Sequence, residues 1–280
     1  TPLVGKQQYV LGYKAIVTEI ELEDNGLTGY LPTEIGQLTS MTGYVSFADN
    51  SITGTIPTEM GRMTGIQRFL RILSSEVHGS VPTQLGQLTD LTAQLHLHDN
   101  HLSGLLPTEL GRLTGLTKQF LLSGNSIGMS WDGSTDRAWS YNAPPNGAEY
   151  GQPNTPMIPT ELGQLTAMRT RFELQNNNFF WQIPSQLGQM SALTSFFYLY
   201  SNELCGDLPD EIAAMNQTVR HHMDIRTGND IGSPCPAPSP LPTAIPSLIP
   251  SAEPTPLPTA GSWSMHDRDV FGVNRVGKDT

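Results

Sequence analysis

Residues 158–166 read IPTELGQLT, and five other stretches of the chain read almost the same. Four of them start 25 residues apart, at positions 31, 56, 81 and 106, and the last starts at 183: LPTEIGQLT, IPTEMGRMT, VPTQLGQLT, LPTELGRLT and IPSQLGQMS. A fixed period of this length is typical of a solenoid, in which each repeat cannot close its own core and stacks on its neighbours.

A second marker lies 19 residues after each start of this phrase, and one more precedes the series: Asn25, Asn50, Ser75, Asn100, Asn125, Asn177 and Asn202. Each marker follows an apolar-x-apolar pair, such as Leu95/Leu97 or Phe172/Leu174, and this alternation predicts a short strand with one buried face. Stacked repeats would place these strands in a parallel sheet. The Asn amides are then expected to satisfy backbone groups of adjacent turns.

The stretches LTGYLPTEIGQLTSM (27–41) and LSGLLPTELGRLTGL (102–116) resemble the plant-type leucine-rich repeat, in an algal-like form with a 25-residue period. The resemblance implies an α/β repeat solenoid, a right-handed coil of about eight turns with a parallel concave β-sheet. It also implies binding rather than catalysis. Two features depart from the family pattern: the paired cysteines of the usual N-terminal cap are absent, and Ser75 replaces a marker Asn.

The repeat boundaries predict the domain organisation. We expect an N-terminal cap segment, the solenoid with an insertion and a C-terminal cap, a linker carrying nine prolines between 236 and 258, and a tail: residues 1–16, 17–235 (insertion 129–156, cap 205–235), 236–262 and 263–280. The insertion carries four aromatic residues that either pack on the solenoid flank or contact a partner: Trp131, Trp139, Tyr141 and Tyr150. The proline-rich segment is either an extended spacer or a strap along a partner.

Cysteine content bears on the compartment. The family resemblance favours a disulfide between Cys205 and Cys235, the two cysteines of the chain, over two free buried thiols. A disulfide indicates a secreted or cell-surface protein, or another oxidising lumen. Asn216 begins a glycosylation sequon, Asn-Gln-Thr. No signal peptide is recognisable at the N-terminus, and the start at Thr1 instead of Met suggests a processed or truncated chain.

Several function classes are disfavoured. A net charge of −11 argues against nucleic-acid binding, and no run of 18 apolar residues predicts a membrane span. His96 and His98 alternate on one strand without a third converging ligand, so no metal site is predicted. Glu19, Glu21 and Glu23 are better explained as a solvated acidic edge than as a catalytic pair. We therefore expect no cofactor and no enzymatic activity.

The concave face is the surface left for binding. The residues that flank the buried strand pairs are the binding candidates, and three aromatics fall together on the seventh strand: Tyr44, Phe69, Arg71, His96, His98, Arg171, Glu173, Phe196, Tyr198 and Tyr200. They could receive a protein side chain or a sugar ring, or be covered by the protein's own loops.

Threonine and serine also recur once per turn, at 33, 58, 83, 108, 160 and 185 and at 39, 64, 89, 114, 166 and 191. Such columns either face ice or hydrogen-bond to local backbone groups. The sequence thus supports three hypotheses: first, a scaffold subunit with protein partners in a larger extracellular or lumenal assembly; second, a cell-surface module for glycan or peptide recognition; third, an ice-binding protein.

Overall fold

The computed structural model describes residues 17–128, 157–219 and 222–235. The first strand of each turn joins one sheet of eight parallel strands, which is the concave sheet. With strands numbered in chain order, its members are β1 (Ile20–Glu21), β3 (Tyr44–Ser46), β5 (Phe69–Arg71), β7 (Gln94–His96), β9 (Gln119–Leu121), β11 (Arg171–Glu173), β13 (Phe197–Tyr198) and β15 (Met223–Asp224). The predicted solenoid with a parallel sheet is confirmed.

A second set of short strands follows the marker residues, outside the concave sheet. It is divided into three groups, β2–β4, β6–β8–β10 and β12–β14–β16. The strands are β2 (Thr28–Tyr30), β4 (Ser51–Thr53), β6 (His78–Ser80), β8 (His101–Gly104), β10 (Ser126–Ile127), β12 (Phe180–Trp181), β14 (Glu203–Gly206) and β16 (Asp230–Ile231).

The nine-residue phrase forms a 3-10 helix in each turn. The helices are Thr33–Gln37, Thr58–Arg62, Thr83–Gln87, Thr108–Arg112, Thr160–Gln164 and Ser185–Gln189. A proline lies at each N-cap with φ between −58° and −74°, close to the value that its ring imposes. Each turn therefore begins its return segment at a residue whose backbone is already restricted.

The glycine of the phrase is required because consecutive 3-10 helices pack in backbone contact. A Cβ on Gly86 would lie 2.3 Å from the carbonyl oxygen of Glu109 in the next turn, and one on Gly36 would lie 2.3 Å from that of Glu59. No side chain fits at such a distance, so the helices stack this closely only if the position is glycine.

The core is one continuous cluster along the solenoid. The apolar pairs of the concave strands are buried from the second to the seventh turn, for example Leu95 and Leu97. Phe120, Phe172 and Phe197 stack in consecutive turns, with ring centroids 5.3 and 5.5 Å apart. Each buried aromatic side chain contributes roughly 2–3 kcal/mol relative to its exposed state.

The marker Asn residues join adjacent turns through both ends of their amides. Asn100 Nδ2 donates to the carbonyl oxygens of Ile72, Leu97 and His98, and Asn100 Oδ1 accepts from the backbone N–H of Val77. Ser75, in the column of the markers, supplies only a hydroxyl donor, to the carbonyl oxygens of Asn50 and Leu73.

An eighth marker, Asn229, was missed in the sequence. Its Oδ1 accepts from Leu204 N and its Nδ2 donates to the carbonyl oxygens of Leu199 and Ile225. It lies 27 residues after Asn202 instead of 25, which hid it from a fixed-period search. The motif Asn-Asp-Ile-Gly at 229–232 matches Asn-Ser-Ile-Gly at 125–128 and would have identified it.

The insertion leaves the register of the concave sheet intact. Gln119 pairs with Arg171, 52 positions later and 27 more than one 25-residue period. The described chain stops at Gly128, next to β10, and resumes at Met157, just before the helix Thr160–Gln164. The predicted cap segment 1–16, the insertion 129–156 with its four aromatics, the proline-rich linker and the tail lie outside the described residues, and these domain assignments stay predictions.

The last turn differs from the others in its return segment, which is the α-helix α1 (Asp210–Val219). Ala213 occupies the position of the phrase glycine and is exposed. A disulfide joins Cys205 in β14 to Cys235 and closes a loop with a sequence separation of 30. In the chain-entropy description such a loop stabilises the fold by about 3–4 kcal/mol.

Candidate functional site

The candidate site is the concave sheet, because it brings together side chains from all eight turns. The ten candidates of the sequence analysis lie in its strands or beside their ends. Together with four neighbouring residues (Arg68, Gln119, Gln175 and His222) they form three groups: an N-terminal aromatic cluster (Tyr44, Arg68, Phe69, Arg71), a central polar group (His96, His98, Gln119, Glu173, Gln175) and a C-terminal aromatic cluster (Arg171, Phe196, Tyr198, Tyr200, His222).

The N-terminal aromatic cluster is a stack of rings covered by two arginines. Tyr44 and Phe69 face each other across β3 and β5, with centroids 4.4 Å apart. The guanidinium of Arg71 lies 4.1 Å from the Phe69 centroid, and that of Arg68 lies 5.3 Å from Tyr44. Burial, followed by the charge of Glu19, raises the pKa of the Tyr44 phenol. Both rings are partly exposed, so the cluster offers an aromatic surface with cations beside it.

The C-terminal aromatic cluster has the same chemistry. The ring of Phe196 lies between the guanidinium of Arg171 at 4.9 Å and the imidazole of His222 at 4.5 Å. Tyr198 meets Phe196 at 5.7 Å and Tyr200 at 5.6 Å in edge arrangements. All three predicted aromatics of this strand are partly exposed. Arg68 and His222 complete the clusters and were missed in the sequence, since each lies just before its strand.

Between the clusters lies a polar group with little accessible surface. His96 is 7% exposed, and its Nε2 lies 2.8 Å from Gln119 Oε1. Glu173 is 4% exposed and accepts a 2.7 Å hydrogen bond from Arg171 Nε. Gln175 Nε2 donates to the same carboxylate at 3.2 Å. His96 and Glu173 therefore shape the floor of the concave face more than they present contact surface.

The histidine pair has no metal-binding geometry in the part of the chain that the structure describes. The rings of His96 and His98 meet edge to face at 5.4 Å, and Nε2 of His96 is engaged by Gln119. His98 Nε2 lies 3.9 Å from the Asp99 carboxylate. The described residues contain no group of three or more His, Cys, Asp or Glu side chains that could hold a metal ion.

Protonation of His96 is expected to destabilise the fold in mild acid. Burial, followed by the charge of His98, lowers the pKa of His96 to about 3. Because the unfolded chain binds the proton near pH 6.5 and the folded chain does not, the stabilisation present above pH 6.5 is lost as the pH falls towards 4. We expect the acid-induced drop in the free energy of unfolding to be smaller in His96→Gln than in wild type, by on the order of 1–3 kcal/mol.

Urea unfolding at pH 7.5 and 4.5 measures this effect. His101→Gln, a substitution at an exposed position, is the matched control. If wild type and His96→Gln lose the same stability between pH 7.5 and 4.5, protonation of His96 is not the cause of the loss.

The first threonine and serine column begins the 3-10 helices, whereas the second, at 39, 64, 89, 114, 166 and 191, lies two residues beyond their ends. Thr33, Thr58 and Thr108 are exposed, and each hydroxyl donates to the carboxylate of the following glutamate at 3.2–3.4 Å. A different threonine column, which was missed in the sequence, joins turns through the backbone: Thr92, Thr117 and Thr194 donate to the carbonyl oxygens of Gln67, Thr92 and Arg169. Ice binding stays a prediction.

The predicted glycosylation sequon lies outside the concave sheet, since Asn216 falls in α1. Among the residues that the structure describes, no helix has the length and apolar character needed to cross a membrane.

Comparison with known proteins identifies the family. A model of the family described as Leucine Rich Repeat matches residues 93–113. No curated protein matches the sequence. The chain is similar to the LRR ectodomain of the plant membrane receptor kinase GASSHO1/SCHENGEN3 from Arabidopsis thaliana, which was solved in complex with CASPARIAN STRIP INTEGRITY FACTOR 2. The identity is 30% and the TM-score 0.55, over 69% of this chain and 19% of that one.

It is also similar to the LRR ectodomain of the Arabidopsis receptor kinase HAESA in complex with an N-terminal extended IDA peptide hormone ligand. The identity is 28% and the TM-score 0.53, over 71% of this chain and 28% of that one. The chain thus spans less than a third of the length of either ectodomain. Its stacked turns, its marker Asn residues and these similarities show that the chain belongs to the leucine-rich-repeat proteins.

Proposed function

We propose that this leucine-rich-repeat chain is a non-enzymatic recognition protein whose concave sheet binds an extended segment of another protein. The observation that carries the proposal is the pair of aromatic clusters on this sheet, each with an arginine guanidinium over a partly exposed ring. Aromatic residues and arginine are the side chains that contribute most to protein interfaces, and exposed rings in such a row favour a partner.

The separation of the clusters fits an extended segment. From β5 to β11 the concave sheet advances by three strands, which is about 14 Å at the usual strand spacing. About four or five extended residues span this distance. Side chains at the two ends of such a segment could occupy the two clusters, while its middle crosses the polar floor formed by His96 and Glu173.

Charge gives the proposed segment a direction. Glu19, Glu21 and Glu23 are exposed beside the N-terminal aromatic cluster, and Arg169 is exposed next to the C-terminal one. Arg71 of the N-terminal aromatic cluster pairs with Glu23 at 3.8 Å, so the acidic character of this end rests on Glu19 and Glu21. A segment with a basic residue near these two carboxylates and an acidic residue near Arg169 would match this polarity. The HAESA ectodomain, in complex with a peptide hormone ligand, supports peptide or protein recognition by this fold.

We further propose that the partner belongs to a larger assembly in the extracellular space or another oxidising lumen. The Cys205–Cys235 disulfide supports an oxidising compartment, and the similar chains are ectodomains. The insertion 129–156 and the proline-rich tail are proposed as additional contacts of that assembly.

The native size of the endogenous protein, with variants of both clusters, tests the proposal. Tagged chains are expressed in the source cells, extracted gently and separated by size exclusion. We expect wild type in a particle much larger than the 30.5 kDa chain, and the double variant Phe69→Ala/Tyr198→Ala shifted to the free fraction. Arg62→Ala/Arg112→Ala, exposed at the ends of two 3-10 helices, is the control and should stay in the particle.

Two results would count against the proposal. Elution of wild type as a free chain would contradict the assembly. Retention of the folded double variant in the large particle would show that the concave clusters do not make the contact.

A further inference from the structure

A second candidate site lies outside the concave sheet, in the first turns of the solenoid. Here a groove of about 650 Å³ crosses the short second strands. It lies where the two-stranded group β2–β4 ends and the group that starts with β6 begins. Its walls come from three successive turns, with Tyr30 in the first, Thr53 to Thr55 in the second and His78 in the third.

Tyr30 is the reason to expect a ligand there. The residue is 59% exposed, the largest exposure of any large apolar residue in the described parts of the chain. The equivalent positions of the next turns hold Thr55, Ser80 and Leu105, so the fold does not require an aromatic residue at this place. The β-carbon of Tyr30 borders Gly54, where a Cβ would lie 3.0 Å from it, so the groove floor beside the tyrosine carries no side chain.

Three side chains that line the groove, Thr33, Thr53 and Glu34, offer hydrogen-bond acceptors. The hydroxyl of Thr53 donates to the carbonyl oxygen of Gly29 at 3.0 Å, and that of Thr33 donates to Glu34 Oε2 at 3.4 Å. Their protons are therefore engaged, while the two hydroxyl oxygens and the Glu34 carboxylate can still accept. A ligand for this groove must bring its own donors.

Charge narrows the ligand class. Among the residues that the structure describes, Glu34 lines the groove and no lysine or arginine does, so these residues would repel an anion. A neutral molecule with many hydroxyl groups and an apolar face would fit these side chains. Its hydroxyls can donate to the acceptors, and its apolar face can stack on Tyr30. We propose that this groove binds a neutral oligosaccharide, with one sugar ring stacked on Tyr30 and its hydroxyls donating to Thr33, Thr53 and Glu34. This site is independent of the concave sheet and of the function proposed for it.

Titration of the full chain with three neutral probes, cellohexaose, laminarihexaose and mannohexaose, tests the proposal by calorimetry and saturation-transfer NMR. We expect wild type to bind at least one of them. Tyr30→Ala should weaken that binding by about tenfold or more, because the stacking face is lost. Tyr30→Phe keeps the face and should bind within about twofold of wild type. Leu105→Ala, at the same repeat position one turn beyond the groove, is the control and should bind like wild type.

Hexalysine is the competing probe, because a cation could also use Tyr30 and Glu34. The proposal is overturned if none of the three saccharides binds wild type, or if Tyr30→Ala binds them unchanged. It is also overturned if hexalysine binds more tightly than every saccharide and Glu34→Gln abolishes that binding. Circular dichroism of each variant checks the fold, which an exposed side chain is not expected to affect.

Discussion

Replacing Gly111 by alanine is expected to lower the free energy of unfolding by about 3 kcal/mol or more, since overpacking against backbone has no flexible side chain to absorb it. The added Cβ would lie 2.3 Å from the carbonyl oxygen of Glu161 and 2.7 Å from its carbonyl carbon. The 3-10 helices Thr108–Arg112 and Thr160–Gln164 would have to separate, and the core residues beneath them would lose contacts. Urea or thermal unfolding measures the change.

Gly115→Ala is the matched control in the same turn. A Cβ there would meet its nearest atom, the carbonyl oxygen of Thr89, at 3.6 Å, which is an ordinary contact. We expect a change within about 0.5 kcal/mol of wild type. The exposed Ala213 at the glycine position of the last turn agrees with this reasoning, because no described turn stacks on that helix. Equal stabilities for the two alanine variants would contradict it.

Asn100→Ala is expected to cost about 3 kcal/mol, because it leaves buried backbone groups without partners. Two of the carbonyl oxygens that accept from Asn100 keep another donor: Leu97 accepts from Asn125 Nδ2, and His98 accepts from Ser74 N. The N–H of Val77, which is 1% exposed, loses Asn100 Oδ1, and the carbonyl oxygen of Ile72 loses Asn100 Nδ2. Chemical denaturation provides the measurement.

Asn25→Ala is the control for this prediction. Asn25 occupies the same column but is exposed, and its side-chain amide donates to Glu23 O, a bond that water can replace. We expect a loss within about 0.5 kcal/mol. A loss at Asn100 no larger than the loss at Asn25 would show that the buried amide does not stabilise the stacking of turns.

Most of the fold could be predicted because the residues that specify each turn lie within that turn. The period, the alternating apolar pairs and the marker Asn residues specify where strands form and which face is buried, so Leu95 or Phe172 could be assigned to the core from the sequence. Asn229 escaped because its spacing differs by two residues, and the threonine column at Thr92 and Thr117 escaped because its partners are backbone atoms of another turn.

The sequence by itself determined a repeat solenoid, its turns and the candidates on its concave strands. Only the tertiary structure decided which of those candidates remain accessible. His96 and Glu173 are buried between neighbouring side chains, whereas Arg68 and His222 join the aromatic clusters from positions just outside their strands. The repeat period shows on which face of the sheet a side chain lies, and this can be read within one turn. Its exposure also depends on the size and charge of the residues in the neighbouring turns, which stack about 5 Å away.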